Sequence, residues 1–301
     1  MASARARSDR DWAAWITAAI LLVVLVGFGR SFFLAPVFAK RPEWAAPELL
    51  FYLHGAVFAA WFALLACQTW LIRARSVALH RQLGYWGAGL AAGIFALGIY
   101  VALAAANRST GYTGVPVPPE QFLLIPLLDM ATFGPFVLLG VINRNRPASH
   151  KRWMLLASIT LLGAPVARLP FMLPWLPVFI DVLTYAVFIL ALAAWDWDTR
   201  QRLSRETVWG GGAILIPKTA ALWVMGSAAW SSAGVWTLRG CVRRGTRITA
   251  VGRRRSPSTP YGPRSSLTPP NPWGGRGSPL RARGARGGAV RGAGHQRQGQ
   301  E

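Results

Sequence analysis

Charge is the scarcest commodity in this sequence. Only 15% of its 301 residues are Asp, Glu, Lys or Arg, against roughly 25% in an average soluble domain, which argues against a soluble globular fold. Acids are rarer still, 11 against 33 Lys and Arg, and there are only four histidines, one of them (His295) near the C-terminus. The two cysteines, Cys67 and Cys241, show no metal-like spacing and imply no disulfide framework. Motifs of soluble catalysis are missing as well. There is no G-x-S-x-G, no H-E-x-x-H, no Walker loop and no G-x-G-x-x-G opening a helix in a βαβ context. With so few acids and histidines the chain reads as a protein other than an enzyme, and any chemistry would be redox or proton-linked.

Apolar length is abundant: 53% of residues are hydrophobic and 15 are tryptophan. Seven apolar runs follow one another: Trp12–Gly29, Leu49–Ile72, Leu83–Ala106, Gln121–Ile142, Trp153–Leu173, Val178–Trp195 and a weaker Val208–Trp236. About 20 such residues cross a hydrocarbon core of roughly 30 Å as a helix. The runs lack barrel alternation, and nothing else spans lipid without unsatisfied backbone groups. The expected fold is therefore all-α, a polytopic bundle of about seven spans over residues 12–236, with the lipid bilayer as its partner. The first run reads as a retained span, because it is longer than a signal-peptide core and the small-residue site after Ala39 lies far beyond its end.

Lys and Arg in the short connections set the orientation. Arg5, Arg7 and Arg10, then Arg73, Arg75 and Arg81, then Arg144, Arg146, Lys151 and Arg152, then Arg200, Arg202 and Arg205 fall on one side; Arg30, Lys40, Arg41 and Arg108 fall on the other. This asymmetry places residues 1–11 in the cytoplasm and the bundle in an inner, plasma-type membrane. Residues 239–301 differ in kind: 14 arginines against Glu301 supply +13 of the formal +22, in a Gly-, Pro- and Ser-rich context. Such a segment cannot bury enough surface to offset its ordering entropy and is expected to be a disordered tail. Its near lack of aromatics argues against a nucleic-acid arm.

Polar residues inside apolar runs are costly and become candidate sites. In the second run His54, Trp61 and Gln68 recur every seven residues and form one stripe facing other helices. With the N-terminus inside, His54, Asp129, Arg168 and Asp181 share the outer leaflet, where Arg168 is expected to pair with Asp129 or Asp181. Gln68 completes this candidate polar cluster. Lys218, next to Pro217 in a Gly-rich run, fits either a broken helix lining a cavity or a segment that fails to insert. Gly89 and Gly93, as GLAAG, are a small-xxx-small pattern expected to pack helices. On the inner side His80, in LHRQLG, and His150, in SHKRWM, open the third and fifth runs. They are either interface residues or, with His54 as a third candidate, ligands of a b-type haem.

The stripe His54-Trp61-Gln68, LHRQLG at Leu79 to Gly84 and HKRWMLLA at His150 to Ala157, in that order, resemble a group of bacterial multi-span membrane proteins whose domain has no assigned function. The resemblance covers roughly residues 45–236 and implies a bundle of about seven spans, whose last part matches Trp209-Gly210 and VMGSAAW. It departs at Ser204, where the pattern has a histidine. A weaker likeness to transmembrane b-type cytochromes implies haem, though the His-to-His pairing across both leaflets is missing. The function expected from sequence is thus that of an integral membrane protein of unnamed role. The alternatives are a haem-binding electron-transfer protein and a proton-linked transporter or small-molecule sensor.

Overall fold

The computed structural model describes residues 2–38, 49–108, 112, 117–169, 177–225, 227 and 229–230; the remaining loops and the expected tail, 239–301, lie outside the described residues. The described chain is helical and contains no strand. Its elements are α1 (Ala2–Phe28), a π-helical turn (Gly29–Phe33), α2 (Ala35–Phe38), α3 (Leu49–Arg73), α4 (Val77–Ala106), α5 (Pro119–Phe122), α6 (Leu124–Ile142), α7 (Pro147–Thr160), α8 (Gly163–Val166), α9 (Pro177–Arg200) and α10 (Arg205–Met225). Residues 2–11, expected as a separate N-terminal segment, are the first turns of α1.

Among the described residues six helices are long and apolar enough to cross a membrane, by length and composition. The run that falls short of the expected seven is Trp153–Leu173. There α7 ends after 14 residues, with Leu161 and Leu162 turning back to the Ser158 and Ile159 carbonyls. Gly163 and Pro165 follow, a weak helix former and a residue without an N–H, which together account for the break. The weaker last run is a continuous helix, α10, despite Pro217.

Side-chain contacts show how the elements run. Arg73 at the end of α3 pairs with Asp11 in α1 (3.0 Å), while at the opposite end of both helices a Cβ on Gly55 would meet Phe32. Gly87 and Gly98 admit Leu64 and Met130 against α4. His150 reaches the Gly140 carbonyl across the α6–α7 turn (2.8 Å). Asp196 and Asp181 meet opposite ends of α7–α8 and α10, through Arg152 and Gly163 on one side and Thr207 and Lys218 on the other. Successive long segments therefore run up and down, with one end, rich in Arg and Lys, holding the start of α1. This is called the basic end below, and its opposite the far end. The core holds Ile20, Trp61, Phe133, Leu156, Tyr185 and Trp195.

The small-residue pattern works differently from expectation. Gly89 and Gly93 face open space, and it is Gly87 and Gly98, on the other side of α4, that take neighbouring side chains. A helix buries one stripe and exposes the rest, so two glycines four apart reveal a potential contact face without showing which face is used.

The outward surface is apolar over most of its length. Leu22, Leu138, Leu190 and Ile216 are exposed mid-helix, where water would penalise them. Exposed Trp15, Trp70, Trp86, Trp197 and Trp209 lie toward the basic end, and Tyr52, Tyr100 and Trp223 toward the far end. Two aromatic girdles around an apolar band are the arrangement that a bilayer and its two interfaces favour.

Candidate functional site

Two buried ionic centres lie inside the bundle, one toward each end. The first is built by α6, α9 and α10. Lys218 places Nζ 2.6 Å from Asp129 Oδ1 and 3.4 Å from Asp181 Oδ2. The Tyr185 hydroxyl, one turn along α9 from Asp181, is 3.4 Å from Asp129 Oδ1 and 3.2 Å from the Thr160 carbonyl, to which it can donate. The Lys218 ammonium also lies 5.2 Å from the Tyr185 ring centroid. Lys218 is 13 residues from the start of α10, about 20 Å at 1.5 Å per residue, so the cluster sits nearer the far end.

Local sequence explains these positions. Asp181 and Tyr185 are four apart on α9 and share a face. The α7–α8 break brings Gly163 against that face: a Cβ there would stand 2.8 Å from Asp181 Oδ1 and 2.9 Å from the Tyr185 hydroxyl. Only glycine leaves this space open. Two carboxylates face one ammonium, and Asp181 Oδ1 is buried with no hydrogen-bond partner among the described residues. A buried acceptor without a partner is costly, and a proton on this pair of carboxylates would turn one acceptor into a donor and bring the three ionic groups to neutrality. The cluster is not sealed: 15% of the Asp129 side chain and 10% of Asp181 remain accessible, against 4% of Lys218.

Asp129 and Asp181 thus come together as the sequence suggested, but with a different cation. Arg168 donates instead to the Ala164 carbonyl (2.7 Å) and lies over Phe28, 5.4 Å from its ring centroid. Arg168 follows the α7–α8 break, so helical counting along an unbroken span misplaces it. His54 packs on Phe58 at 4.2 Å between ring centroids, and its buried Nδ1 has no hydrogen-bond partner among the described residues. Gln68 likewise keeps a buried, unpartnered Oε1. Between them Trp61 packs edge-on against Phe133 (5.2 Å) and donates to Ser158 Oγ (3.2 Å). The stripe on α3 faces other helices, as its spacing predicts, yet among the described residues no hydrogen bond or ion pair joins it to the carboxylates.

The second centre went unread in the sequence. Arg152, taken there as an orientation marker, is fully buried and donates through Nε (2.7 Å) and a second nitrogen to Asp196 Oδ1. The other Asp196 oxygen accepts from the Ser204 N–H (2.9 Å) and the Thr207 hydroxyl (2.7 Å). Ser204 Oγ in turn accepts from the Thr207 N–H (3.2 Å) and caps α10. The residue at which the sequence departs from the resembled pattern is therefore a buried helix cap. Arg152 also covers the Trp195 ring at 4.5 Å. The available signal was the acidic pair Asp196 and Asp198 at the end of one span, on the side of Lys151 and Arg152 at the start of another. Asp198 accepts from Ser8 and Trp12, and Lys151 pairs with Asp9, so the same end is tied to α1.

Also toward the basic end, His80 and His150 are neighbours, with ring centroids 6.1 Å apart and planes at 88°. His54 does not join them. It precedes Gln68, whose backbone lies beside the His80 ring, by 14 residues of α3, about 21 Å of helix.

Helices of spanning length, an apolar exterior with aromatic girdles and ionic groups turned inward define a multi-pass α-helical membrane protein. The chain matches no known protein family, no curated protein and no solved structure with which it was compared.

Proposed function

We propose that this is a proton-linked membrane protein, a transporter or sensor of small molecules, in which Asp129, Asp181 and Lys218 take up and release one proton. The observation that carries the reading is the Lys218 ammonium held between two buried carboxylates, 2.6 Å and 3.4 Å away, with Asp181 Oδ1 left unpartnered among the described residues. Intramembrane ionisable groups that face a bundle interior commonly mark ion and proton pathways. Here the excess of one carboxylate gives the proton a place, Tyr185 offers a hydroxyl beside it, and the partial accessibility of Asp129 gives it a way to exchange. The Arg and Lys asymmetry supports an N-terminus in the cytoplasm of an inner-type membrane, with the cluster nearer the outer face. The motif resemblance supports membership of the multi-span group without adding an activity.

The test uses the full chain in detergent and in proteoliposomes. Infrared difference spectra between acidic and alkaline pH should show a carboxylic-acid carbonyl band that disappears or moves in Asp129→Asn and in Asp181→Asn, with pH-driven proton movement lost in both. A band and proton movement unchanged in both variants would overturn the reading.

A further inference from the structure

His80 and His150 stand apart from the proposed proton site, toward the other end of the bundle. Each ring has a nitrogen left over. His150 Nδ1 is 2.8 Å from the Gly140 carbonyl, which leaves its Nε2. His80 Nδ1 is buried and without a hydrogen-bond partner among the described residues. A histidine whose second nitrogen donates to a backbone carbonyl has a fixed tautomer and orientation, the arrangement metal-binding imidazoles use. Hydrogen bonding to each other would offer a simpler use for the free nitrogens, but His80 Nδ1 makes no such bond.

The separation of the rings indicates the coordination. A metal–nitrogen bond of about 2 Å plus about 1.1 Å from nitrogen to ring centre puts two imidazoles on opposite sides of one metal at roughly 6.2 Å between centroids. The same two ligands at a tetrahedral angle would come to roughly 5.1 Å. The observed 6.1 Å fits the linear arrangement. Among the described residues no group of three or more His, Cys, Asp or Glu could hold a metal ion, so these residues supply a pair of ligands.

We propose that His80 Nδ1 and His150 Nε2 form a two-imidazole site for a metal that accepts linear nitrogen ligation, either a bare Cu(I) ion or the iron of a haem. Both imidazoles bind as neutral ligands, His150 keeping its proton on the nitrogen that faces the Gly140 carbonyl, so coordination releases none. Two-coordinate Cu(I) and axially ligated haem iron share this chemistry, whereas tetrahedral zinc requires closer rings and further ligands. The position beside basic connections leaves the metal near the membrane surface.

The full chain, purified in detergent without metal, is titrated anaerobically with Cu(I) against a chromophoric chelator and, separately, with haemin. One equivalent of Cu(I), or a haem Soret band, is expected. His80→Ala and His150→Ala should each weaken binding at least tenfold, while His54→Ala retains it. Free imidazole should restore binding to His80→Gly, which separates a missing ligand from a misfolded chain. X-ray absorption of the loaded wild type should show two imidazole nitrogens on the metal beyond any from a porphyrin. A copper result assigns the bare ion and a Soret result assigns haem, and each supports the site. Uptake of neither, affinity equal to wild type in both alanine variants, or a loaded wild type without two imidazole ligands would overturn it.

Discussion

Among the described residues, Arg152 and Lys218 are the basic side chains that the fold buries, and their surroundings differ in one respect. Arg152 meets a single carboxylate whose two oxygens are both occupied, by the guanidinium and by Ser204 and Thr207. Lys218 meets two carboxylates and leaves one oxygen over. The first arrangement has one satisfied state and serves to hold α7, α9 and α10 together. Removing one partner of a buried pair strands the other, at a cost of about 3–5 kcal/mol. Arg152→Ala is therefore expected to lower stability by that order, read by thermal unfolding in detergent, and an unshifted transition would show that the pair is not structural. For the second centre the expectation concerns coupling. Lys218→Met combined with Asp129→Asn should melt above Lys218→Met alone, because the double change removes an acid left without its cation; melting at or below the single variant would deny the interaction.

The elements most informative for function are those where helical regularity fails. The break between α7 and α8 brings Gly163 to Asp181 and Tyr185, a placement that an unbroken helix would not guarantee. Gly163→Ala is expected to preserve insertion while changing the pH midpoint of the carboxylic-acid band, since the added methyl presses on Asp181 Oδ1 and the Tyr185 hydroxyl; an unaltered midpoint would mean the space is slack. At the basic end two tight connections use left-handed backbone at residues with a Cβ, Arg75 (φ 59°) and Gln201 (φ 54°). That conformation costs roughly 1–2 kcal/mol for such residues. Gln201→Gly should recover part of it, about 1 kcal/mol, as a higher melting temperature with the helical content unchanged.

For the whole molecule, the bilayer is the solvent that reconciles an apolar exterior with a polar interior. The aromatic girdles and the basic end position the bundle in it. The arginine-rich stretch from 239 onward carries +13 of the +22 formal charge and has no apolar run long enough to cross a membrane. Truncation after residue 238 is therefore expected to leave membrane insertion intact, measured as retention in alkali-washed membranes, and loss of the protein from that fraction would show that the bundle depends on the tail.

Composition and run length alone determined that this chain forms membrane-spanning helices, because the hydrocarbon thickness and the need to satisfy every backbone group leave little else for long apolar runs. The same arithmetic placed Asp129 and Asp181 at one depth and His80 and His150 at one end, since depth follows from counting residues along a helix. Rotation does not follow from counting. Which face of each helix turns inward depends on how neighbours pack, and only the tertiary structure decided that Gly87 and Gly98 rather than Gly89 and Gly93 make the contacts on α4. It also decided that Lys218 rather than Arg168 pairs with the acids, because the break before Arg168 redirects that side chain and the continuity of α10 through Pro217 delivers the other. Arg152 is the sharpest instance: in sequence it is one more basic residue beside a span, and only the approach of Asp196 from a helix 44 positions away turns it into a buried support.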